Sequence, residues 1–151
     1  MPGYGWRHRF RGGGYRVTLP REAILSLLRS TDDHLSARDI FLRAQKACPS
    51  CGLNTVYRTL ELLVDLGLVT RLDFGDGQAR YELSREHARK SHHHHLVCIK
   101  CKRIVDYTDF IKDEVDLIEK TERGLSEKFG FKITDHEIVF KGICAQCSKQ
   151  K

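Results

Sequence analysis

Apolar residues recur at helical spacing three times in the first half of the chain. In the run PREAILSLLRS, residues 20–30, Ile24, Leu27 and Leu28 form one stripe, and Pro20 is tolerated in the first turn of a helix. Ser36 is placed to cap a second helix reaching about Ala47, with Ala37, Ile40, Phe41 and Ala44 on its inner side and Pro49 and Gly52 ending it. A third helix, TVYRTLELLVDLG, starts from a cap at Asn54 or Thr55. It turns Val56, Leu60, Leu63 and Val64 inward, leaves Tyr57, Arg58 and Glu61 toward solvent, and stops at Gly67. The pattern then changes period. LVTRLDF and QARYEL read as two strands joined by Gly75-Asp76-Gly77, a hairpin. Three helices and a hairpin make a winged helix-turn-helix.

Residues 84–91, SREHARKS, are polar with no core signal and read as a hinge. Beyond it, HLVCIKCKRIVDY predicts two short strands around a cysteine turn. Phe110, Val115, Ile118, Leu125 and Phe129 predict an amphipathic helix over 109–129, and a last strand carries Ile138 and Phe140 toward Cys144. The predicted class is α+β: a winged-helix domain over 1–83, then a small α/β domain over 92–151.

Composition narrows the partners. With 151 residues, two small domains are possible only with help from a metal or a second subunit. No apolar run approaches the roughly 20 residues of a membrane span, and the start of the chain lacks a signal-peptide core, so no membrane partner is expected and the expected location is the cytoplasm. The net charge of +6 lies almost wholly in the first 21 residues, which hold Arg7, Arg9, Arg11, Arg16 and Arg21 and no acid. That segment, rich in glycine and aromatics, reads as a flexible arm. It is suited to following phosphates, or is a solvated tail.

All six cysteines fall in Cys-x-x-Cys pairs. In a cytoplasmic chain this favours metal over disulfide. Cys98, Cys101, Cys144 and Cys147 form two knuckles, each offering two thiolates. Together they complete a closed tetrahedral site for a structural Zn2+, with no open coordination position for catalysis. The run His92-His93-His94-His95 carries a second chemistry. On a strand, His93 and His95 face one way and His92 and His94 the other, so one tetrapeptide can serve two ions, with Asp106, Asp113, Glu82 and His136 available to complete them. A solvated histidine patch is the competing reading.

The motifs TVYRTLELL with the downstream LGLV, HHHHLVCIKC and GICAQC together resemble the ferric uptake regulator family of metal-responsive repressors, over about Val17 to Cys147. The resemblance implies a homodimer whose metal holds the winged helices ready for a palindromic operator in double-stranded DNA. The implied regulatory site, for Fe2+, Mn2+ or Zn2+, comprises His34, Glu82, His93, His95 and Asp106. An additional site comprises His92, His94, Asp113 and His136. His94 stands where some members carry Asp, and Glu82 with Asp106 does not separate iron sensors from zinc-uptake or peroxide regulators. Cys48-Pro-Ser-Cys51 takes no ligand role from the family: a loop or half-buried structural role competes with a redox or extra-metal role.

The third helix is expected in the major groove. Asn54, Thr55, Tyr57 and Arg58 are the candidate contacts, with Arg16 of the arm. The reading is therefore a metal-dependent repressor, most simply iron-responsive, and not an enzyme. Metal storage and metal-assisted hydrolysis are the competing classes, and the helix-turn-helix argues against both.

Overall fold

The protein was analysed as a computed structural model, which describes residues 5–84, 93–134 and 136–149. The chain forms two compact units, Met1–Arg89 and Lys90–Lys151. Most of the expected hinge lies outside the described residues. Ser84 does not: its backbone N–H donates to the Leu68 carbonyl and its hydroxyl to the Gly67 carbonyl, which ties it to the first unit.

In the first unit, α1 (Gly5–Gly12) precedes α2 (Leu19–Ser30), β1 (Leu35–Ser36), α3 (Ala37–Ala44), α4 (Leu53–Asp65), β2 (Val69–Asp73) and β3 (Ala79–Leu83). The core joins Ile24 and Leu28 of α2, Ile40 of α3, Val56, Leu60 and Leu63 of α4, and Val69 and Tyr81 of the hairpin. Ser36 caps α3 through a capping box: its hydroxyl accepts from the Asp39 backbone N–H, and the Asp39 carboxylate accepts from the Ser36 backbone N–H. The antiparallel sheet has the order β1-β3-β2. Its first strand, two residues long, has no period to betray it in the sequence. The hairpin turn places Gly75 and Gly77 at positive φ, and Arg80 clamps the Asp76 carboxylate, holding its pKa down to about 2.

The arm differs from expectation. Trp6 and Phe10 lie one helical turn apart in α1, with ring centroids 5.7 Å apart, and Phe10 is fully buried in the core. Arg9 donates to the Leu66 carbonyl and Arg7 pairs with Glu22. Glycine and arginine content suggested a chain unable to pack, but two aromatics on one stripe supply the apolar area that composition hides. Phe10→Ala is therefore expected to cost about 3–5 kcal/mol. Chemical denaturation of the variant checks this, and an unchanged midpoint would return the segment to a solvated tail.

The second unit holds β4 (His94–Cys98), β5 (Ile104–Tyr107), α5 (Ile111–Phe129), β6 (Val139–Gly142) and α6 (Ala145–Ser148). Its sheet has the order β5-β4-β6, with β4 antiparallel to β5 and parallel to β6. The 19 residues of α5 include none that is buried, and Leu117, Leu125 and Phe129 stay exposed. So do Leu96, Val105 and Phe140 on the three strands.

Candidate metal centres

Cys98 ends β4 and Cys101 lies in the turn to β5. That turn closes through the Lys102 backbone N–H on the Cys98 carbonyl, with Lys102 at φ 63°. Cys144 precedes α6 and Cys147 lies within it. Because β6 runs beside β4, Cys98 pairs with Gly142 across the ladder, so the sheet brings knuckles 42 residues apart in sequence to one edge. All four sulfurs lie within 4.8 Å of one another. The Cys101 and Cys144 sulfurs are 3.8 Å apart. A tetrahedral zinc with Zn–S bonds of about 2.3 Å sets its sulfurs roughly 3.8 Å apart, so the cluster fits the ion.

Electrostatics agree with the geometry. Backbone N–H groups, that of Cys144 foremost, hold the Cys98 thiol down to about 6, and the Cys147 N–H lowers Cys144. Cys147 is pushed up to about 12 by its hydrogen bonds to the neighbouring sulfurs, that of Cys144 first. Four thiolates this close cannot all ionise unaided. A bound cation removes the repulsion and lets each sulfur become a ligand.

The histidine run splits as strand alternation requires. His95 lies opposite Asp106 in the β4–β5 ladder, its Nδ1 3.2 Å from the Asp106 carboxylate, and the His93 and His95 rings are 5.1 Å apart. Donor atoms of His93, His95 and Asp106 come within 4.8 Å of one another. In the first unit, His34 Nε2 stands 3.0 Å from the Glu82 carboxylate, which makes a second preformed pair of imidazole and carboxylate.

His94 faces the other way and is fully buried. It lies opposite Tyr107 in the ladder, its Nδ1 is 2.5 Å from a Glu114 carboxylate oxygen, and its ring is 5.9 Å from that of His136. Tyr107 donates to Glu114 at 3.0 Å; burial first, and this bond second, push the Tyr107 hydroxyl up to about 12, so it stays a donor. Asp113, expected in this group, is exposed, and its neighbour Glu114 takes the place. Phe110, at φ 64°, is the N-cap of α5. Glu122, also unforeseen, holds His136 Nδ1 at 2.8 Å. His92 lies outside the described residues.

Cys48 and Cys51 form a disulfide between α3 and α4 with both residues buried, which overturns the preference for metal over disulfide at this pair and leaves the structural and redox readings. In α4 itself, Asn54, Tyr57 and Arg58 are exposed, and Thr55 is half-buried in the first turn. The cap falls at Gly52, before both residues expected to provide it. Arg16 is exposed, its carbonyl accepting from Arg21.

A winged helix with an open reading helix, followed by a unit carrying a thiolate cluster and histidine–carboxylate groups, defines the class of winged-helix metal-dependent regulators. The family model described as the ferric uptake regulator family matches residues 12–141. A ferric uptake regulation protein of Bacillus subtilis is 41% identical over 143 residues, covering 94% of this chain and 91% of its own length. The solved ferric uptake regulator of Vibrio cholerae is 33% identical, with a TM-score of 0.69 over 93% of this chain and all of that one. That of Pseudomonas aeruginosa with manganese is 31% identical, with a TM-score of 0.72 over 92% and 97%. The chain belongs to the ferric uptake regulator family.

Proposed function

We propose that the chain is a metal-activated, homodimeric repressor in the cytoplasm, binding a palindromic operator, with iron as its regulatory metal. The observation that supports this is the opposite facing of the histidines: His95 pairs with Asp106 in the β4–β5 ladder and has the His93 ring beside it, while His94 pairs with Tyr107 and meets Glu114 of α5. The regulatory ion takes His93, His95 and Asp106 with His34 and Glu82 of the winged-helix unit. Zinc takes the four thiolates, and the additional ion takes His94, Glu114 and His136 with His92. The regulatory metal would supply a positive centre to the imidazoles and carboxylates that hold it. Metal then selects the DNA-competent arrangement through its different affinity for the alternatives. Among the divalent ions, geometry and supply rather than raw affinity decide which one occupies the site.

The homodimer reading is supported by apolar groups that the second unit leaves exposed, Leu96, Val105 and Phe140 on the sheet and Leu117 and Phe129 on α5. On α4, Arg58 and Tyr57 read base edges or grip phosphate, Asn54 and Thr55 contact the backbone at the helix start, and Arg16 adds a phosphate contact. The decisive experiment measures operator binding with and without added iron or manganese. Arg58→Ala should weaken metal-activated binding by about 1–3 kcal/mol with metal content and dimer unchanged. Binding that ignores both the metal and Arg58 would overturn the reading.

A further inference from the structure

The Cys48–Cys51 disulfide is not absorbed by the metal chemistry. Cys48 is fully buried and Cys51 is 4% exposed, and among the described residues neither belongs to a group of three or more metal-ligating side chains. The bridge sits in the turn of the helix-turn-helix. The Cys48 backbone N–H donates to the Ala44 carbonyl at the end of α3, and the Cys51 N–H donates to the Cys48 carbonyl. The next residue, Gly52, is the N-cap of α4. It offers no side-chain cap, and the first turn of α4 holds no acidic residue to meet the helix dipole. The body of α4 is held by Val56, Leu60 and Leu63 in the core, while its uncapped first turn, where Asn54 and Thr55 lie, follows directly on the disulfide-closed turn.

We propose that Cys48 and Cys51 form a thiol–disulfide exchange site, acted on by dithiols, that sets DNA affinity independently of the regulatory metal. This rests on the reading of α4 as the DNA-reading helix. In a reducing compartment a disulfide is characteristically transient and redox-sensing rather than structural. Opening of the Cys48–Cys51 turn, whose Pro49 and Ser50 face solvent, admits a dithiol; one of its sulfurs, as the thiolate, attacks one sulfur of the bridge, forming a mixed disulfide and releasing the other cysteine as a thiolate, which takes a proton. The reductant's second thiol, losing its proton, then displaces the first cysteine, which is protonated in turn. The reductant leaves as its own disulfide, two electrons having passed to the protein. Oxidised glutathione closes the bridge by the reverse exchange and is reduced to two thiols. With the bridge open, the sulfurs separate to non-bonded distance, and the turn must be ordered again each time α4 meets DNA.

Opening the bridge should weaken operator binding about three- to tenfold, the equivalent of ordering one or two extra side chains. The test uses full-length, manganese-loaded protein, equilibrated either with dithiothreitol or with oxidised glutathione. Operator affinity, zinc content and iodoacetamide labelling by peptide mass are measured on each sample. The expected result is weaker binding with Cys48 and Cys51 labelled in the reduced sample, full recovery on re-oxidation, and constant zinc. The double variant Cys48→Ala with Cys51→Ala should match the reduced protein and ignore redox state. Should that variant fail to fold, the reversible cycle on the unaltered chain decides alone. Equal affinity in samples whose labelling shows the bridge open and closed overturns the proposal, as does an affinity loss seen only where zinc is released. A redox effect in protein that ignores manganese supports the switch while overturning metal activation.

Discussion

Cys98→Ser should abolish tight zinc binding and leave the second unit unable to hold its fold. Cys98 contributes one of four sulfurs within 4.8 Å, on an edge where β4, β6 and α6 meet. Structural zinc sites of this kind contribute roughly 10–16 kcal/mol of apparent binding energy at neutral pH, and that energy is also folding energy. It exceeds the about 5–15 kcal/mol of net stability typical of a whole domain. Little else in the unit compensates, since α5 buries none of its residues within the chain. Metal analysis after gel filtration should therefore show zinc reduced to trace and the dimer lost. A zinc-replete, dimeric variant would defeat the assignment.

The second large effect separates the two faces of β4. His95→Ala should uncouple operator affinity from the regulatory metal, because it removes the histidine paired with Asp106 on the face proposed for that metal. His94→Ala and Glu114→Gln act on the opposite face, where the pair stands 2.5 Å apart beside Tyr107 and His136. These variants should lower metal stoichiometry or thermal stability while keeping substantial metal-activated binding. Titration of each variant with manganese against an operator duplex at fixed salt reads the difference. If all three variants lose the metal response alike, the run serves one shared site and the division into two faces fails.

Much of this was legible in the sequence because period and spacing are local. Val56, Leu60 and Leu63 announce the buried side of α4, and Ser36 announces the start of α3. Alternation along a strand separates His93 and His95 from His94 without knowledge of any partner. What escaped depends on phase or on distant contacts. Asp113 and Glu114 are adjacent carboxylates at a helix start, and about 100° of rotation per residue decides which one meets His94, a phase that spacing alone does not fix. Phe10 was hidden by the glycines and arginines around it, although Trp6 four residues earlier was the available signal. For Cys48 and Cys51 the resemblance already left no ligand role, since the other four cysteines complete one site, but a rule about cellular compartment weighed against the bridge that they form.

The turn between β4 and β5 carries a further consequence. The pairing of His95 with Asp106, and of His94 with Tyr107, depends on how many residues the chain spends between the two strands, and Cys98 and Cys101 lie at that bend. A slip of one position would turn every side chain of a strand to the opposite face and exchange the carboxylate and phenol that the two histidines meet. A zinc held by the four thiolates would pin the bend and so keep the two histidine sites in frame. Assembly would then have a hierarchy: the permanent ion writes the alignment, and the exchangeable ions can only read it.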